Sequence, residues 1–162
     1  MKKILLFLLI TLPIYLVVSL YFLDKEYFIC PIDYKKDILI RCDGRGNGFF
    51  AADRSGNRLH EGLDFLAVIG TPVRASRSGK VASADKNRGM GNYVIIKHPG
   101  RVVTVYGHLL RAYVTKGKFV RQGEIIAEVG KTGNANYANI EPHLHFEVRK
   151  DGMPQDPLEY LR

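Results

Sequence analysis

Val94-Ile-Ile-Lys97 and Val102-Val-Thr-Val-Tyr106 are two runs rich in β-branched residues, separated by His98-Pro-Gly-Arg101. Branching at Cβ restricts the side chain and suits the pleated, half-buried surface of a strand. Pro-Gly marks a turn, so the two runs predict a β-hairpin. A hairpin in mid-chain requires further strands to cover it. Short stretches of the right texture are present at Gly79-Lys-Val81, Gly123 to Val129 and His143 to Val148. Glycine (16) and proline (7) punctuate the chain, and no long 3.6-residue period appears after residue 23. The prediction is a mainly β fold, a compact antiparallel sheet domain over 49–162, with a last short turn at its end.

The N-terminus has a different texture. Ile4 to Leu23 carry no charge, with Lys2 and Lys3 before them and Asp24-Lys-Glu26 after. A run of about 20 apolar residues can span a bilayer as a helix. Lysines on the near side keep that side in the cytoplasm and send the rest outward. The run exceeds the usual core of a cleavable signal peptide and lacks an Ala-x-Ala site. Residues 1–23 are therefore expected to be a membrane anchor, with a signal segment as the alternative. Either one exports the remainder to the cell envelope.

Residues 24–48 read as a linker holding Cys30 and Cys42. In an exported chain, two nearby cysteines predict a disulfide. The formal charge is +8, and an excess of bases remains without Lys2 and Lys3. The basic residues are scattered, with no dense Lys/Arg cluster and no aromatic base-stacking motif, which argues against a nucleic-acid partner.

The histidines carry the chemistry. His98, in the hairpin turn, is expected to be exposed and uninvolved. His143 and His145 lie two apart in an alternating run, so on a strand they share a face. Tyr106 and His108 are likewise two apart. In Leu59-His-Glu-Gly-Leu-Asp-Phe65 the strand period aligns His60, Gly62 and Asp64, with Leu63 and Phe65 opposite. Gly62 would leave open space between the two polar groups. A helix from 58 to 69 would instead make this a relative of the H-E-x-x-H zinc motif. Gly62 disfavours that reading by about 1 kcal/mol, and the flanking text is β. A hydrolytic zinc site needs three protein ligands and one open position. His60, Asp64 and one of the His143/His145 pair would supply the ligands. The other member of the pair and His108 would remain for acid–base work or for stabilising an oxyanion.

At "HEGLDF", "YGHL" and "PHLHFEV", and in spacers such as "GNYVIIKHPG" and "VRQGEIIAEVGKTG", residues 49–157 resemble the lysostaphin-type zinc endopeptidases, which hydrolyse peptidoglycan. The resemblance implies a small antiparallel β fold with a substrate groove and one zinc ion per chain, held by His60, Asp64 and His145. It implies that His108 and His143 line the open side as catalytic residues. Tyr106 would add a hydroxyl to the groove. The segment before His143, "NANYANIE", is longer than usual, and Glu141 stands where a small residue is common. Glu141 would sit at the groove rim and could contact the amino group of a stem peptide. Some members lack ligands and act as wall-binding modules or activators of other hydrolases. This chain retains all five positions, so it is expected to be an enzyme on peptidoglycan cross-links, tethered to the cytoplasmic membrane and facing outward. A regulatory partner is not identifiable from the sequence.

Overall fold

A computed structural model describes residues 11–15, 27–54 and 58–162. The apolar run from Ile4 to Leu23 lies outside the described residues except for 11–15, which are helical with Leu12, Ile14 and Tyr15 exposed. Among the described residues, no helix is long and apolar enough to cross a membrane.

Among the described residues the chain forms eleven strands: β1 (Cys42–Asp43), β2 (Gly46–Asn47), β3 (Leu63–Leu66), β4 (Pro72–Arg74), β5 (Gly79–Asn87), β6 (Gly91–His98), β7 (Val102–Ala112), β8 (Phe119–Val120), β9 (Ile125–Val129), β10 (His143–Lys150) and β11 (Met153–Gln155). The described residues also include two single 3-10 turns, η1 (Gly133–Ala135) and η2 (Pro157–Glu159). The predicted hairpin is β6–β7, with Ile96 facing Thr104 and His98 facing Val102. The main sheet runs β11-β10-β7-β6-β5-β8, and every pairing in it is antiparallel. β3 pairs with the first half of β10, and β9 with the second half of β7. Residues 58–69 thus contain a strand, not a helix.

Alternation along β3 and β10 sends Leu63, Phe65, Leu144, Phe146 and Val148 into one apolar core. Phe65, Phe146 and Tyr106 meet there with ring centroids 5.3–5.9 Å apart. Each large buried side chain contributes about 1.5–3 kcal/mol of transfer free energy. The alternate residues of the same strands, Asp64, His143, His145 and Glu147, are also buried, but face the other way. That second face holds the site.

The segment expected as a linker is packed against the domain. Phe28 and Ile32 belong to the core. Backbone bonds Arg41 N–H to Asp64 O (2.9 Å) and Asp64 N–H to Gly48 O (2.8 Å) dock the β1–β2 hairpin onto β3. Both cysteines are free thiols, contrary to the expected disulfide. Cys30 packs against the core, whereas Cys42 is exposed on β1, so docking the segment holds the two thiols in different surroundings.

Two other expectations change. His98 is buried at 7 % exposure. Its Nδ1 donates to the Ser78 carbonyl at 2.9 Å, and its Nε2 lies 2.8 Å from Thr104 Oγ1. As the last residue of β6 it turns inward under the Phe28 ring rather than out into the turn. Gly62 does not open space. A Cβ there would lie 2.3 Å from the Phe146 carbonyl oxygen, so the glycine is required by the close approach of β10.

Candidate metal centre

The antiparallel register places Asp64 of β3 directly opposite His145 of β10. Cross-strand partners have Cβ atoms about 4.5–5.5 Å apart, close enough for short polar side chains to meet. Asp64 Oδ1 lies 2.8 Å from His145 Nδ1 and 3.1 Å from His60 Nε2, and the two nitrogens are 3.0 Å apart. His60 reaches this point from the residues just before β3, where its own N–H and C=O bond to Ala52 and Ala51. Three donor atoms therefore converge on one buried spot. Zinc with bonds of about 2.0–2.2 Å to His and carboxylate separates tetrahedral donors by about 3.3–3.5 Å. The observed triangle needs only a few tenths of an ångström of expansion, so the residues fit a single zinc ion.

Each imidazole is oriented by a second bond. His60 Nδ1 donates to the Phe49 carbonyl (2.8 Å), His108 Nδ1 to Thr132 (2.9 Å) and His143 Nδ1 to Glu141 (2.6 Å). A carbonyl can only accept, so in each ring Nδ1 carries hydrogen and Nε2 is left to face the site. His145 is reversed. Its Nε2–H donates to Glu147 Oε1 at 3.0 Å, which leaves Nδ1 for the metal. Glu147 is 1 % exposed, and Arg149 donates to its other oxygen at 2.6 Å. This is the carboxylate–histidine support that metal-binding imidazoles usually have.

Asp64 is supported just as fully. Its Oδ2 accepts from Arg41 Nη2 at 3.0 Å and Arg54 Nη2 at 2.7 Å. Burial opposes its charge, but its contacts with the His145 and His60 imidazoles prevail and hold the carboxyl well below its ordinary value. His145 is buried too, yet its bonds to Asp64 and Glu147 raise it to about 9 without metal. Burial, together with the charges of His143 and His145, lowers His108 to about 3. Burial also lowers His143.

His108 and His143 stand beside the triangle, in the same groove as His60 and Asp64. Their ring centroids are 4.9 Å apart, and His108 is 5.8 Å from His145. Tyr106 does not join them. Val94 pairs with Tyr106 but Asn92 with Leu109, so two steps of β6 face three of β7. The extra residue forms a bulge at Gly107-His108, where His108 takes φ 61° and its N–H donates to Met90 O at 2.7 Å. A bulge inverts the alternation. Tyr106 and Leu109 both enter the core, and His108 turns to the site. The Tyr106 hydroxyl accepts from Ser76 N–H and Thr104 Oγ1 instead. Glu141 supplies its carbonyl to His143, but the residue lines a separate apolar hollow with Tyr34, Leu66 and Pro142 and not the groove of the histidines.

Sequence reasoning missed Glu147, Arg41, Arg54 and Thr132. Glu147 was findable, because His143, His145 and Glu147 continue one polar face at strand period. Arg41 and Arg54 carry no local signal.

Fold and site together define an antiparallel β domain built around a candidate mononuclear metal centre with an open side. The family described as Peptidase family M23 matches residues 58–157, and the chain belongs to that family. Over 115 residues it is 43% identical to the lipoprotein NlpD/LppB homolog of Pseudomonas aeruginosa, covering 70% of this chain and 36% of that one. Over 101 residues it is 44% identical to the DD-carboxypeptidase/endopeptidase Mpg of Neisseria meningitidis, covering 62% of this chain and 22% of that one. The chain thus spans well under half the length of these relatives. Among solved structures, a zinc containing peptidase from Vibrio cholerae superposes with TM-score 0.65 at 33% identity, covering 82% of this chain and 39% of that one. Lysostaphin from Staphylococcus simulans superposes with TM-score 0.56 at 38% identity, covering 63% and 43%.

Proposed function

We propose that this chain is a zinc-dependent endopeptidase that hydrolyses the peptide cross-links of bacterial peptidoglycan. The observation that carries the reading is the convergence of His60 Nε2, Asp64 Oδ1 and His145 Nδ1, flanked by two further imidazoles with Nε2 directed at the groove. Membership of a peptidase family, and a relative named as a peptidoglycan DD-endopeptidase, support the substrate class.

A zinc ion held by those three residues would supply a Lewis acid and an activated water. The chain's own residues supply the rest. Glu147 and Phe49 O orient the two ligand rings, and Arg41 and Arg54 hold Asp64 with Oδ1 turned inward. His108 and His143 are kept neutral by burial, so each can accept a proton at Nε2. Either imidazole, once protonated, can donate to an oxyanion forming at the scissile carbonyl. Glu61 lies outside this set, exposed and paired with Arg149.

The test is metal analysis of the full chain, followed by digestion of purified sacculi and mass spectrometry of the released muropeptides. His108→Ala should retain zinc and lose about 10²–10⁴-fold in digestion rate. A metal-free protein, or digestion unaffected by His108→Ala, overturns the proposal. A second reading is a non-catalytic wall-binding module or hydrolase activator; the chain is also similar to a solved structure of the SpoIIQ–SpoIIIAH pore forming complex (TM-score 0.67, 26% identity). This reading predicts sacculi that are bound but never cut.

We also propose that the uncharged N-terminal run tethers the domain to the cytoplasmic membrane, facing the wall. Recovery of the full chain in the soluble cytoplasmic fraction would contradict this.

A further inference from the structure

Arg41, Arg45, Arg54 and Arg58 all line the groove that contains the histidines, and among its described lining residues Asp64 is the one carboxylate. Two of these cations are already matched. Arg41 pairs with Asp43 and Asp64, and Arg54 pairs with Asp64. Arg45 and Arg58 are exposed, and among the described residues neither forms an ion pair. Arg45 stands on the β1–β2 turn, where its backbone N–H donates to Asp43 Oδ1 at 2.8 Å. Its guanidinium lies 5.6 Å from the ring centroid of Tyr137, in the segment between η1 and β10. That contact steadies the charged group over the groove. Arg58 stands two residues before the ligand His60.

The groove that holds the candidate ligands thus offers two surplus guanidinium groups, and a divalent ion bound at Asp64 would add further positive charge. A neutral peptide leaves these charges uncompensated. A carboxylate satisfies them with bidentate, charge-assisted hydrogen bonds.

We propose that Arg45 and Arg58 recognise a free carboxylate carried by the substrate close to its scissile bond, so that the enzyme selects anionic peptides. This rests on the endopeptidase reading and adds the feature by which the substrate is chosen. The carboxylate can be a chain-terminal α-carboxylate or one borne on a side chain, and both present the same chemistry to the arginines.

The test uses the full chain and a cross-linked peptide made in three forms: unmodified, amidated at its chain terminus, and amidated at its side-chain carboxyl. Hydrolysis kinetics and calorimetric binding are measured for wild type, Arg45→Gln, Arg58→Gln and the double variant. Both arginines are exposed, so melting temperatures should match wild type. Amidating the recognised carboxylate should raise KM and Kd about tenfold in wild type, the scale of one charge-assisted hydrogen bond, with kcat within about twofold. In the double variant that penalty should shrink to about twofold or less. The position whose amidation matters identifies the source of the carboxylate. A wild type indifferent to both amidations, or a double variant that keeps the full penalty, overturns the inference. Carboxylate-dependent binding without hydrolysis would sustain the inference while sinking the endopeptidase reading. Hydrolysis indifferent to amidation would do the reverse.

Discussion

Replacing Glu147 by Gln tests the metal centre without touching a proposed ligand. The carboxylate is 1 % exposed, accepts His145 Nε2–H at 3.0 Å and is held by Arg149 at 2.6 Å. Gln has nearly the same volume, so no cavity opens and the change is one of charge. Losing such a carboxylate behind a ligating histidine typically weakens metal binding 10–100-fold, which is about 1.4–2.8 kcal/mol. The fold also loses a charge-assisted bond from Arg149, at a cost of about 1–3 kcal/mol. The two effects separate in different assays. Competition against a chromophoric chelator reports zinc affinity, and melting in excess chelator reports the metal-free fold. The prediction is a zinc dissociation constant raised at least tenfold, with a further loss of melting temperature that persists in chelator. A dissociation constant within about twofold of wild type would refute the assignment of His145 Nδ1 as a ligand supported from behind by Glu147.

Other outcomes follow from the same geometry. Asp64→Ala should abolish both zinc binding and wall digestion, whereas Glu61→Ala, at an exposed site paired with Arg149, should change digestion by less than about threefold; sacculus turnover compares the two. Without metal, His145 is held at about 9, above its unfolded value of about 6.5. Its contribution to the stability of the metal-free protein is therefore full below about pH 6.5 and is lost as pH rises through about 9. Zinc must displace that proton, so zinc binding near pH 7 should release about one proton from this residue and tighten as pH rises. Calorimetry in buffers of differing ionisation enthalpy measures the release, and its absence would contradict the reading. Tyr106→Phe strands the buried Ser76 N–H. It should cost about 1–3 kcal/mol in denaturant unfolding with kcat unchanged, whereas a groove hydroxyl would have lowered kcat.

Much of the site was legible because strand alternation is a local rule. His143 and His145 share a face, and Asp64 opposes Leu63 and Phe65, wherever those residues are strands. The rule failed at Tyr106 and His108, where one inserted residue in β7 inverts the faces. A bulge depends on the partner strand β6, which the residues around His108 do not encode. The second carboxylate failed for a different reason. Glu147 obeys the same alternation as the histidines, but its role appears only once His145 is seen to turn Nε2 toward it.

The sequence by itself determined an antiparallel β domain and the hairpin at its centre, and it singled out the five His and Asp residues that the structure gathers at the candidate centre, because β-branching, turn residues and two-residue periodicity act between near neighbours. Tertiary structure decided the rest. Register between β3 and β10 set Asp64 against His145. Docking of residues 28–48 brought Arg41 onto Asp64 and left Cys30 and Cys42 as separate thiols. Burial turned His98 and Tyr106 inward and left Arg45 and Arg58 facing the groove. These outcomes depend on contacts between residues far apart in the chain, and no local pattern specifies them.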